Sequence, residues 1–146
     1  MVGLLFSGCQ TPGTATTTVY EGQLRYSTDS DAALIGEVVV VSGEPFKLEF
    51  MKGPGSPLLR VSQNGMFASV SGSLAGPGWS GRADQAPEKL QSWLALRGVF
   101  NGPDTPAIRN INQPSFRVKR DVVDGVLLGV EVQFLGTGET FQFRFD

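Results

Sequence analysis

The sequence predicts a mainly β domain, a curved antiparallel sheet forming an open half-barrel with one helix as lid or plug. Three observations predict it. Short segments in which apolar and polar residues alternate recur along the chain, the period-2 pattern of strands with one buried face. Turn formers are abundant, 19 Gly and 9 Pro in 146 residues, which cuts the chain into many short strands. Only one segment changes to helical spacing. A single helix covers little of a flat sheet, so the sheet is expected to wrap on itself.

The elements follow in order. Tyr20, Gly22, Leu24 and Tyr26 alternate with Glu21, Gln23 and Arg25, a half-buried strand. Thr28 to Asp31 is a polar turn, and Ala33 to Val41 is a β-branched run that ends at the turn Ser42-Gly43-Glu44-Pro45. Phe46, Leu48 and Phe50 alternate with Lys47 and Glu49 before KGPGSP (Lys52 to Pro57), a turn no strand interior tolerates. Leu59 and Val61 resume the sheet, Asn64-Gly65 signals a hairpin, and Met66, Ala68 and Val70 follow.

Between Asp84 and Arg97 the period becomes helical. Asp84 is expected as N-cap, Pro87 sits in the first turn, Gly98 ends the helix, and Ala86, Leu90, Trp93 and Leu94 share one face. Gly98 to Ser115, with Pro103, Pro106 and Pro114, reads as a long irregular connection. Phe116 and Val118 lead into a strand through Val126, Leu128, Val130, Val132 and Phe134. Gly136-Thr137-Gly138 then turns the chain into Phe141, Phe143 and Phe145. The expected product is roughly eight antiparallel strands, with the helix on the concave side.

Composition excludes several function classes. The net charge is -2, the pI is about 5.1, and no basic block stands out, which argues against a nucleic-acid groove or a polybasic membrane patch. The absence of histidine removes the usual triads, His metal sites and the commonest general base. One cysteine, Cys9, allows neither an internal disulfide nor a multi-cysteine zinc site. Asp29 with Asp31 and Asp121 with Asp124 read as turn aspartates, Glu131 lies on the polar phase of its strand, and Gly136 to Glu139 (GTGE) does not lead into a helix as a phosphate loop would. Arg117, Lys119 and Arg120 read as a solvated strand edge. No catalytic constellation, metal site or cofactor site is expected, and the reading is of a non-enzyme.

The N-terminus carries a motif. MVGLLFSG (Met1 to Gly8) is apolar and small-ended but too short for a spanning helix, and it resembles the tail of a secretory h-region. Phe6-Ser7-Gly8-Cys9 resembles a bacterial lipobox, in which the cysteine thiol takes a diacylglycerol carrying palmitate-like chains. QTPGTATTT (Gln10 to Thr18) then reads as a flexible tether. Residues 1–17 are therefore expected as truncated signal peptide, lipobox and tether, and residues 18–146 as one β domain. Gln10 beside the cysteine resembles the sorting signal for an outer-membrane destination, the chain facing the periplasm.

The stretch FKLEFMKGPGSPLLRVSQNG, from Phe46 to Gly65, followed by short strands and GRADQAPEKLQSWL, resembles the outer-membrane lipoprotein receptor family LolB and, more distantly, its periplasmic carrier LolA. The resemblance covers about a third of the chain, the rest agreeing by strand order. It implies an open half-barrel with a helical lid and an apolar cavity that receives the acyl chains of lipoproteins, handed over by a periplasmic carrier protein without covalent chemistry. The residues on the apolar faces would line that cavity: Leu24, Tyr26, Phe46, Leu48, Phe50, Leu59, Leu90, Trp93, Leu94, Phe141 and Phe143. Plain core is the alternative reading of each. Two departures stand out. The family carries an exposed leucine in the loop matching Lys52 to Pro57, where this chain has Pro54, and the family's second lid helix is lost or fused into Asp84 to Arg97. The competing expectation is a structural or envelope-assembly lipoprotein with a filled core, working through its surface.

Overall fold

The computed structural model describes residues 17–101 and 116–146. Cys9, the tether before Thr17 and most of the irregular connection lie outside the described residues. The rest forms nine antiparallel strands in one curved, unclosed sheet, with a helix packed against it. In chain order the strands are β1 (Thr18–Ser27), β2 (Leu34–Ser42), β3 (Phe46–Gly53), β4 (Ser56–Asn64), β5 (Phe67–Ser71), β6 (Trp79–Arg82), β7 (Phe116–Val123), β8 (Val126–Phe134) and β9 (Thr140–Phe145). The helix, α1, spans Glu88–Asn101. The short β6 strand, absent from the expected series, brings the number to nine.

The strand order is β6-β5-β4-β3-β2-β1-β9-β8-β7. Two meanders, β1 to β6 and β7 to β9, are joined by pairing of the first strand with the last, Leu24 opposite Phe143 and Tyr26 opposite Phe141. β6 and β7, sequence neighbours among the strands, therefore sit on opposite edges. The chain between them must cross the concave face, and α1 makes that crossing.

Curvature is written into two inward-facing glycines. A Cβ on Gly22 would lie 2.0 Å from the Arg144 carbonyl oxygen, and one on Gly36 would lie 2.2 Å from that of Met51. Only glycine lets neighbouring backbones approach so closely at a bend in the sheet. Several hairpin turns use positive φ, among them Gly65 (61°) and the pair Asp124 (54°) and Gly125 (78°). The latter is the Asp-Gly pair favoured where both central residues of a two-residue turn need positive φ. Of the aspartates read as turn residues, Asp121 instead lies within β7, opposite Gly129.

The helix departs from its expected limits at both ends. Asp84 is no N-cap; it sits in a 3-10 turn (Ala83–Gln85) and pairs with Arg82 at 2.9 Å. Ala86 is extended (φ -67°, ψ 151°), because a residue before proline is pushed out of the helical region, so α1 begins only after Pro87. At the other end Gly98 continues the helix, which runs on to Asn101. Gly98 is exposed, and a Cβ there would meet nothing within 4 Å. The residues beyond it are anchored, and that anchoring overrides the stop signal.

Candidate functional site

The inward faces of the strands and the buried side of α1 form one apolar cluster. Leu24, Phe46, Leu48, Phe50, Leu59 and Phe141 are completely buried, and Leu90, Trp93, Leu94 and Phe143 nearly so. Tyr26 is half-buried and packs against them. All eleven residues singled out in the sequence thus meet on the concave side, where they fill the interior with one another's side chains. Helical spacing missed Ser92, Leu96 and Val99, which are buried as well, because α1 lies in a trough and is contacted on more than one side.

Two aromatic side chains seven residues apart on α1 reach into the sheet, the spacing that returns to the same helix face after two turns. Trp93 stands edge-on to Phe141 at 4.7 Å between ring centroids and packs on Tyr26 at 4.9 Å and Phe50 at 6.0 Å. Phe100 stands edge-on to Phe143 at 5.2 Å and lies 5.7 Å from Tyr20. Such ring pairs add to the stabilisation from buried area alone.

A polar network lies beside Trp93. Glu139 is 8% exposed, and its Oε2 accepts hydrogen bonds from the Tyr26 hydroxyl (2.7 Å) and the Ser92 hydroxyl (2.9 Å). Its Oε1 accepts one from the Thr137 hydroxyl at 2.7 Å. Burial, reinforced by the hydrogen bond to Glu139, raises the Tyr26 phenol well above its ordinary range. Sequence reading passed over Glu139 as part of a turn. The available signal was phase, since Glu139 shares the inward parity of Phe141, Phe143 and Phe145.

At its C-terminal end α1 is tied to the β2–β3 turn. The Asn101 side chain accepts from the Gly43 N–H and donates to the Gly43 carbonyl, both at 2.8 Å. Arg97 pairs with Glu44, and Arg120 donates to the Val99 carbonyl at 2.9 Å. Arg120 is thus turned inward from β7, opposite Val130, rather than forming part of a solvated edge with Arg117 and Lys119.

Three of the concavities among the described residues bear on the site. One of about 240 Å³ opens beside the start of α1 between Tyr26, Leu34, Leu74, Lys89, Leu90 and Trp93. A second, of about 220 Å³, opens at the helix end between Tyr20, Phe100, Val122, Leu127 and Val130. Each is somewhat smaller than a usual small-molecule pocket. The third, about 620 Å³, crosses the polar outer face of β1, β9, β8 and β7, with Arg25, Lys119 and Arg144 beside Asp121 and Glu131. Among the described residues no group of three or more Cys, Asp or Glu side chains could hold a metal ion, and no helix is long and apolar enough to cross a membrane. No protein-family model matches the chain, and no curated protein matches it.

Proposed function

We propose that the protein is a lipid-anchored, periplasm-facing outer-membrane protein of the LolB-like kind. In this reading it binds the acyl chains of lipoproteins between α1 and its half-barrel and assists their placement in the outer membrane. The observation that carries the reading is architectural. An unclosed sheet with a predominantly apolar concave face has one helix across its mouth, and a small cleft opens at each end of that helix. An acyl chain entering a cleft would replace side-chain contacts of α1 with its own, and each buried methylene stabilises the complex by about 0.8 kcal/mol. Handover requires no covalent step, only that this interior hold the chain better than the donor does.

A second reading, a structural or envelope-assembly lipoprotein acting through its surface, is favoured by one observation. From Leu90 to Phe100 only Gly98 is exposed, so α1 is embedded as core rather than laid on as a cover. A fluorescent fatty-acyl probe titrated into residues 17–146 separates the two. Saturable binding, displaced by the acylated N-terminal peptide of a lipoprotein, is the expected result. A folded protein that leaves the probe free would set the receptor reading aside in favour of the structural one.

A further inference from the structure

The exposed apolar side chains are not spread evenly over the molecule. Six of them, Val19, Met66, Phe67, Val122, Val123 and Val126, are each about half exposed or more. The register places all six at the same end of the sheet. Val19 opens β1 opposite Val41, and Met66 and Phe67 form the β4–β5 tip, where Phe67 pairs with Asn64. The three valines form the β7–β8 tip, where Val123 pairs with Val126. At the other end only Ile35 and Leu135 are comparably exposed among the described residues. The turns there are the polar Thr28 to Asp31, the Pro54-Gly55 turn and Gly136 to Gly138. Single exposed apolar residues are ordinary, but their concentration on one rim marks a contact surface.

The chain itself says what meets that rim. Residues N-terminal to β1 join the domain at this end, and β1 lies between the two apolar tips in the strand order. Cys9 is eight residues before Thr17, a reach of at most roughly 29 Å when fully extended. β1 alone, at ten residues, spans about 33 Å. A tether shorter than the sheet keeps the rim, rather than the polar end, next to whatever holds Cys9. The cleft beside Phe100 opens on the same rim and shares Val122 with the β7–β8 tip.

We propose that this rim rests on the lipid bilayer, the β4–β5 and β7–β8 tips acting as two apolar feet on either side of the tether. The proposal rests on the lipid-anchor reading of Cys9 and adds an orientation to it. The Phe100 cleft faces the membrane, so an acyl chain passes between bilayer and half-barrel with little exposure to water. The Pro54 turn points away from the membrane. Both signs of charge border the feet, Arg82 opposite Phe67 and Arg120 beside Val122 as well as Asp84, Asp124 and Asp146. The contact is therefore one of apolar burial rather than of attraction to anionic lipid.

The test uses the full chain coupled through Cys9 to maleimide lipid in phosphatidylcholine nanodiscs carrying a 5-doxyl lipid, read by methyl NMR. The methyl signals of Val122, Val123 and Val126 should lose intensity several-fold, while those of Ile35 and Leu135 keep theirs. Replacing the exposed pair, Val123→Ser with Val126→Ser, should restore the remaining Val122 signal although the tether is unchanged. Equal broadening at both ends, or unbroadened valines as expected of a rim that docks a protein instead, overturns the proposal. Intact mass of protein recovered from native membranes reads the anchor separately. A Cys9 without diacylglycerol overturns the anchor reading, and the docking orientation with it, whatever the nanodiscs give.

Discussion

The two ends of α1 are held by different physics. At its beginning Trp93 is 2% exposed, surrounded by Tyr26, Phe50 and Phe141, and flanked by a buried carboxylate whose acceptor sites are filled by three hydroxyls. At its end Phe100 is only half-buried, Gly98 faces solvent, and the ties run through an amide and a guanidinium to the β2–β3 turn. The first arrangement stabilises by burial and fails as a unit. The second combines a partly solvated ring packed on Phe143 with hydrogen bonds near water, each worth about 1 kcal/mol, which can break singly. If α1 moves to admit a chain, it moves at the Phe100 end, the end of the apolar rim.

The largest effect expected from this contrast separates the two aromatics. Trp93→Ala should cost about 3–5 kcal/mol in urea unfolding, and Phe100→Ala distinctly less because its ring is already partly solvated. Equal losses would erase the difference between the ends. This places Trp93 in the core, so a loss of acyl binding in Trp93→Ala counts as evidence about the site only where the variant is shown to be folded.

Next in size is Glu139→Ala, which leaves the hydroxyls of Tyr26, Ser92 and Thr137 without their acceptor at a cost of about 2–3 kcal/mol. Glu139→Gln keeps one acceptor oxygen and should lose less. Amide exchange should show the opening spread along the first half of α1 rather than its end. Asn101→Ala should cost about 1–2 kcal/mol, confined to faster exchange at residues 97–101. A global change of that size from Asn101 would mean the helix end is no separate unit.

Two smaller effects sharpen the picture. Gly98→Ala should stabilise by about 0.5–1 kcal/mol, because the site is helical, exposed and open. A destabilisation there would mean that Gly98 is a helix stop after all. The smallest is a pH effect. Tyr26 holds its proton more tightly folded than unfolded, so its contribution is full below the unfolded pKa near 10 and is lost as pH rises beyond it. The stability decline of the native protein above about pH 10 should therefore be steeper than that of Tyr26→Phe.

Much of this architecture was legible without coordinates. The inward residues of β1, β3 and β9 were readable from alternation, because a strand's facing is fixed by a period of two. In β8 the register shift after Asp121 breaks that phase, leaving Val126 exposed and turning Leu127 to the core where alternation expected Val126 and Leu128. The helix was placed correctly in its middle and wrongly at both ends. Asp84 and Gly98 are good local signals, yet the extended residue before Pro87 and the anchoring of Phe100 and Asn101 outweigh them. The candidate site was found as a set of faces, but its polar part, Glu139 with Ser92 and Tyr26, was not. Its partners lie 47 and 113 residues away in the chain.

The sequence by itself determined the strands, most of their buried faces and the lone helix, all of which depend on near neighbours in the chain. Tertiary structure alone decided that the first strand pairs with the last and that α1 therefore crosses the concave face. It also decided that a turn glutamate is buried among three hydroxyls, and that six exposed apolar residues far apart in sequence share one rim. Those outcomes follow from the register and edge order of nine strands, set by the packing of the whole sheet at once.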